Sequence, residues 1–187
     1  MPPVRGVGDS GGMSEISVRP LGEEDWQQYR DTRLTALRES PEAFAATAAE
    51  EEALDEDFWR LRMQRSTRLI AERDGSPIGI VSVGRAGEDH PRTAELFGLW
   101  VSPEARGSGV ATELVRAGAN LAREQGQTQL AYWVGSDNGR AVAFASGFGF
   151  RPTAERRPMR VKSDDDEDEV AMVLALGGDR GSVARDF

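Results

Sequence analysis

The sequence predicts a mixed α/β domain built on one mixed sheet of about seven strands, with helices on both faces. Three observations lead there. Short β-rich runs alternate with longer amphipathic ones in the order β-α-α-β-β-β-α-β-α-β-β. At 187 residues the chain is long enough for one well-filled core and too short for two comfortable ones. No internal repeat is visible.

The elements follow in order. Residues 1–13, "MPPVRGVGDSGGM", have the composition of a disordered leader, and Met13 is either a start or the point where structure begins. One domain is expected over 14–176, with a flexible tail over 177–187. "EISVRP" (15–20) alternates and ends at a proline, as a short first strand does. "GEEDWQQYRDTRLTALRES" places Trp26, Tyr29, Leu34 and Leu37 on one helical face, with acidic residues in the first turn where the helix dipole favours them. The helix should stop at Ser40, because Pro41 disfavours helical angles in its predecessor. "EAFAATAAEEEALDEDFWRLRMQR" reads as further helix broken near 54–56, with Phe58, Trp59, Leu61 and Met63 making apolar contact.

"TRLIAERDGSPIGIVSVGR" is a hairpin turning at Asp74-Gly75. "TAELFGLWV" (93–101) is a strand, followed by a helix whose buried stripe is Val110, Leu114, Ala117/Gly118 and Leu121, with Gly126 as its C-cap. "QLAYWV" is a strand, "NGRAVAFASGFG" a short helix and "FGFRPTAERRPMRV" a strand. The acidic run "DDDEDE" (164–169), read as a solvated hairpin tip or as a lure for a cationic acceptor, precedes the last strand, "VAMVLAL".

Composition narrows the chemistry. The apolar share of 39% and charged share of 29% are those of a soluble globular protein, and a cytoplasmic location is expected. No cysteine is present, which excludes disulfides, thiolate metal sites and cysteine acyl-enzymes. The sole histidine, His90, lies in the polar segment "GEDHPRT", so neither a histidine relay nor a histidine-rich zinc site is expected, and no metal is assigned. A net charge of −9 disfavours nucleic acid and anionic membrane as partners and mildly favours a cationic small molecule or peptide.

The chemistry-bearing stretch is "RGSGVA", Arg106 to Ala111, between a strand and a helix. Unsatisfied amides at a helix N-terminus suit a phosphate, and small residues allow it to approach the main chain. A Walker loop requires Lys-Ser/Thr after the last glycine, whereas Val110-Ala111-Thr112 follow Gly109. A dinucleotide fingerprint requires a third small residue where Thr112 stands. The glycines alone are equally compatible with a turn that binds nothing.

The surrounding residues carry more. "ELFGLWVSPEARGSGVA" resembles the coenzyme A-binding core of the GNAT acetyltransferases through Glu95, Leu96, Leu99, Val101, Pro103, Arg106, Gly109 and Ala111. "NGRAVAFASGFGF" is similar to a later segment of that family through Asn138, Ala141, Gly149 and Phe150, and "RLTALRESPEAFAAT" to its acceptor-side helices. The resemblance runs from about residue 15 to 176. It implies a GNAT fold, a mixed, mostly antiparallel sheet that splays between the strands at 93–101 and 129–134.

The activity it implies is acetyl-CoA-dependent N-acetyl transfer, directly to a primary amine. Gly98, inside a strand, marks a bulge or close backbone approach. Such a bulge frees main-chain groups of Leu99, Trp100 and Val101 for the pantetheine arm, and the Leu99 N–H for the thioester oxygen. The amides of Arg106, Gly107, Ser108, Gly109, Val110 and Ala111 are assigned to the pyrophosphate, and Asn138 to the coenzyme side. Glu95 is the candidate base, expected among apolar neighbours and on the face of Phe97, Leu99 and Val101 unless the bulge intervenes.

The family's usual tyrosine, seven residues after the asparagine, is replaced by Ala145, with Phe144 before it. Tyr132 is a distant substitute as proton donor or a plain core aromatic. Phe44 and Trp59 line the acceptor pocket or pack the core, and Ser136 and Asp137 sit where coenzyme and acceptor are expected to meet. The acceptor itself stays open among polyamine, aminoglycoside, amino acid and protein N-terminus, and so does the oligomeric state, with a homodimer one assembly that the resemblance allows. The competing reading is a non-catalytic acyl-CoA-binding or regulatory module on the same fold, with a nucleotide binder as a remote third.

Overall fold

A computed structural model describes residues 15–159 and 167–177. The expected leader, nearly all of the expected tail and positions 164–166 of the acidic run lie outside the described residues. The elements are β1 (Ser17–Leu21), α1 (Trp26–Glu39), α2 (Ala48–Glu52), α3 (Glu56–Arg65), β2 (Thr67–Arg73), β3 (Ser76–Arg85), β4 (Thr93–Val101), α4 (Val110–Glu124), β5 (Gln129–Gly135), α5 (Gly139–Phe148), β6 (Arg151–Pro158) and β7 (Asp168–Ala175). The strands form a seven-stranded sheet in the order β1-β2-β3-β4-β5-β7-β6. Every pairing is antiparallel except that of β4 with β5.

The helices cover both faces because the central strands β2 and β3 carry buried apolar residues on both sides. Leu69, Val81, Val83 and Leu96 point toward α4, where they meet Val110, Leu114 and Val115. Those three are at most 1% exposed, each contributing about 1.5–3 kcal/mol of burial. Ile70, Ile80 and Trp100 point the other way, toward Tyr29 of α1 and Trp59 and Met63 of α3. No helix of the described residues is long and apolar enough to cross a membrane.

Three local expectations change. Residues 42–47 are not α-helix: a 3-10 turn spans Pro41–Ala43, and α2 begins only after Thr47. There the Thr47 hydroxyl accepts from the Glu50 amide while the Glu50 carboxylate accepts from the Thr47 amide, a reciprocal cap that fixes the start. In α3, Trp59 and Met63 are buried one helical turn apart, which turns Phe58 and Leu61 outward at 38% and 41% exposure.

The third change lies in β4. Its pairing with β3 runs from Arg85↔Ala94 to Ser82↔Phe97 and resumes at Ile80↔Trp100, so Gly98 and Leu99 together oppose Val81. Gly98 takes φ +65°, a left-handed conformation that costs other residues about 1–2 kcal/mol. This bulge flips the parity of the strand. Glu95 and Phe97 share their face with Trp100, while Leu99 and Val101 join the α4 side of the core.

Candidate active site

The parallel pairing of β4 with β5 covers only Thr93↔Gln129 to Leu96↔Tyr132, although β4 runs on to Val101 and β5 to Gly135. The two strands therefore part at the bulge. On the α1/α3 side the gap opens into a cavity of about 510 Å³ whose lining includes Phe44, Arg68, Phe97, Leu99, Tyr132 and Trp133. At the C-terminal end of β4 it leads to the turn between strand and helix.

That turn is a cradle. A 3-10 turn over Pro103–Ala105 is followed by Gly107 at φ +80° and Gly109 at φ +86°, and Gly109 caps α4. The two left-handed glycines fold the backbone so that no Cβ stands over the helix N-terminus. A cavity of about 290 Å³ is lined there by Val101, Arg106, Gly107, Gly109, Val110 and Ala111, among others. Ser108 is held by its own hydrogen bonds, donating to the Ala105 carbonyl and accepting from Arg73 Nη2 at 3.2 Å. The Arg106 side chain folds back, its Nε donating to the Val101 carbonyl at 3.1 Å and its Nη2 to Ser40 Oγ at 3.2 Å. The Val101 carbonyl thus has an internal partner. Trp100 is buried, so its side chain belongs to the core. Phe144 and Thr112 extend the cradle into a groove between α4 and α5 that also carries Arg116.

Glu95 is not among apolar side chains. Its Oε1 lies 3.9 Å from Arg157 Nη1, and Arg157 donates from Nε to Glu169 at 2.6 Å while stacking 4.2 Å from the Trp133 ring. The cause is topological: β7 lies beside β5 and β6 beyond it, and Arg157 and Glu169 face each other in that last pairing. Glu95 lines a groove that neighbours the cavity beside Leu99, the two sharing Arg65, Ser66 and Phe97.

The proton-donor position is distinct as well. Ala145 is fully buried. Tyr132 packs edge-on against Phe150, and burial pushes its phenol above the ordinary value, so it holds its proton at neutral pH. Trp59 has no exposure and lies in the core, whereas Phe44 does line the cavity, under the Arg33 guanidinium at 4.6 Å. Asn138 caps α5, its side chain accepting from the Ala141 amide at 3.1 Å. Ser136, Asp137 and Asn138 are exposed and line neither the cradle nor the cavity beside Leu99.

Sequence reasoning missed the arginines. Arg33, Arg62, Arg65 and Arg68 all line the cavity, from α1, α3, the end of α3 and β2. Glu51 of α2, itself 2% exposed, accepts from Arg33 at 3.1 and 3.3 Å and from Arg62 at 2.7 Å. Burial pushes its carboxyl up, but those two guanidiniums outweigh burial and hold it below its ordinary value of 4.5. The one local signal was Arg68 itself, a charge directly before the apolar run Leu69-Ile70-Ala71 and buried with it.

Comparison with known proteins bears on family and fold. The sequence model of the Acetyltransferase (GNAT) family matches residues 26–150. Mycothiol acetyltransferase from Nocardia farcinica is 31% identical over 150 residues, 79% of this chain and 45% of that protein. An uncharacterised N-acetyltransferase from Methanocaldococcus jannaschii is 26% identical over 95 residues, 49% of this chain and 42% of that one. The chain spans less than half the length of these two curated relatives. In fold, it resembles a Salmonella typhimurium protein described as an acetyltransferase and solved with its cofactor acetyl-CoA (TM-score 0.66, 20% identical, 88% of this chain and 96% of that one). It also resembles the ribosomal-protein-S18-alanine N-acetyltransferase of Escherichia coli (TM-score 0.65, 18% identical, 90% and 99%). The family match takes in the bulged strand, the cradle and the helices on both sides as one continuous block, so the chain belongs to the GNAT acetyltransferase family.

Proposed function

We propose that the chain is an acetyl-CoA-dependent N-acetyltransferase that passes the acetyl group directly to a primary amine. The observation that carries this reading is the parting of β4 from β5 at the Gly98–Leu99 bulge, with a glycine-rich cradle at a helix N-terminus on one side and an open cavity on the other. Coenzyme and acceptor then meet across one opening. The amides of Gly107 to Ala111 take the pyrophosphate, the Leu99 main chain, turned away from β3 at the bulge, takes the pantetheine arm, and Arg116 flanks the groove left for the nucleotide end.

In the reaction the neutral amine attacks the thioester carbonyl, a C–N bond forms, and the C–S bond breaks with its electron pair leaving on sulfur. The Leu99 N–H stabilises the oxyanion, a fixed dipole aimed where charge develops. Glu95 accepts the proton lost by the ammonium. Tyr132, protonated and lining the cavity, is a hydroxyl available to the departing thiolate, which at a pKa of about 8.5 also leaves unaided.

The buried Ala145 favours a second reading, an acyl-CoA-binding module without turnover. Calorimetry with acetyl-CoA beside free-thiol release across a panel of amines separates the two. Binding with amine-dependent thiol release supports the enzyme, binding without release for any amine supports the module, and no binding contradicts both.

A further inference from the structure

We infer that the acceptor is a compact amine bearing a carboxylate, of the amino-acid class, and that the buried Arg68 holds that carboxylate. The inference rests on the acetyltransferase reading of the same cavity and narrows its acceptor.

Arg68 is 7% exposed. Its Nη1 donates to Ser82 Oγ at 2.6 Å and its Nη2 to the Arg62 carbonyl at 3.1 Å, both neutral acceptors. Its Nε is buried and has no hydrogen-bond partner. No carboxylate among the described residues forms an ion pair with it. The Tyr29 and Phe97 rings flank the guanidinium at 4.9 and 5.5 Å, which eases its charge but satisfies no N–H. Burial, the largest influence, lowers its pKa from the ordinary value, and the nearby Arg62 and Arg33 push the same way, against opposing contributions from Tyr29 and Glu51. An unpaired buried charge is costly, and a bound carboxylate would supply the missing partner.

The rest of the cavity has the same sign. Four arginines line it against one carboxylate, Glu169, which Arg157 already occupies. Glu51 stands behind the wall and is shared by Arg33 and Arg62. This concentration of positive charge sits in a chain whose net charge is −9. It repels a polyamine and attracts an anion.

The spacing fixes the size. Ser82 Oγ and Arg33 Nη1 lie 3.8 and 4.0 Å from the point where a Cβ would stand on Gly98, the residue before Leu99. Arg68 bonds that same Ser82 hydroxyl, so the anion subsite adjoins the bulge where the thioester carbonyl is assigned. An amine aimed at that carbonyl therefore has its carboxylate only a few bonds away. An α-amino acid fits, and the negative overall charge of the protein does not describe its own acceptor site.

The test uses the full chain and the proteinogenic L-α-amino acids, each beside its α-amide and its decarboxylated amine, with phosphoethanolamine and spermidine alongside. Two readouts are taken: free-thiol release with acetyl-CoA, and calorimetric binding of each compound to the chain saturated with coenzyme A. At least one amino acid should bind, and exceed its amide in affinity and in kcat/KM by about 10- to 100-fold, the range of a charge-assisted hydrogen bond. Arg68→Lys and Arg68→Gln should raise KM for that amino acid by a similar factor and leave acetyl-CoA binding unchanged. Equal or better use of the amide, the decarboxylated amine or spermidine overturns the inference and leaves the acetyltransferase reading standing. Preference for phosphoethanolamine, or no binding of any amino acid, also overturns it. Selective binding of an amino acid without turnover overturns the acetyltransferase reading and keeps the anion site. The comparison within the parent protein remains decisive if the Arg68 variants fail to fold.

Discussion

Glu51→Gln removes one negative charge from behind the wall of the cavity proposed for the acceptor while keeping the shape of the side chain. Glu51 accepts three hydrogen bonds from two guanidiniums at 2.7 to 3.3 Å, and its side chain is 3% exposed. Removing one partner of a buried ion pair costs about 3–5 kcal/mol, because the other charge is left unpaired. Arg33 and Arg62 retain 15% and 22% exposure, so water relieves part of the penalty and the lower end applies, about 3 kcal/mol. For a domain of this size each kcal/mol is worth about 2–4 °C, which gives a Tm lower by about 6–12 °C in thermal unfolding at neutral pH.

The pH dependence follows from the sign of the shift. The folded carboxyl titrates below its ordinary 4.5, so the parent's advantage is complete above that value and is lost as pH falls through the folded pKa. The two melting curves should therefore converge in acid. Because Arg33 and Arg62 line the cavity proposed for the acceptor and lose their counter-charge, the folded variant should lower KM for an anionic acceptor while sparing acetyl-CoA binding. A Tm within about 2 °C of the parent at neutral pH, or a gap that persists unchanged in strong acid, would refute the reasoning.

Other outcomes follow from the same geometry. Glu95→Gln should lower kcat by about 10²–10⁴ and flatten the acidic limb of the pH–rate profile, with coenzyme affinity unchanged, when steady-state kinetics and calorimetry are compared. Gly98→Ala meets only ordinary contacts, Ser82 Oγ at 3.8 Å and Arg33 Nη1 at 4.0 Å, so its cost is the left-handed backbone, about 1–2 kcal/mol in thermal unfolding, with weaker acetyl-CoA binding in addition. Ala145→Tyr fills a position with no exposure, so it should destabilise by about 1–3 kcal/mol through overpacking. A sharp gain in turnover without loss of stability would show instead that the missing hydroxyl limits the rate.

Much of the fold was legible because its signals are local. Asp74-Gly75 announced the β2–β3 hairpin, Pro41 ended α1 near Ser40, and Gly98 inside an apolar strand marked the bulge. The cradle was legible for the same reason, since glycines and a helix start are adjacent in the chain. The face of Glu95 was not, because one extra residue in β4 reverses every side chain beyond it, and only the register with β3 shows that this happened. Phe58 and Leu61 misled because α3 has apolar residues at 58, 59, 61 and 63, which leaves the choice of face to packing; Trp59 and Met63 won it. The arginine wall was hidden most completely. Its members come from α1, α3 and β2, and their common cavity exists only once the helices lie against the sheet.

Coenzyme A is proposed to lie between the parted strands with its pyrophosphate on the cradle. Amide hydrogen exchange, with and without acetyl-CoA, tests both halves at once. Slower exchange concentrated at Leu99–Val101 and at Gly107–Ala111 is the expected result. Protection that spares these two segments, or falls elsewhere on the sheet, would contradict it.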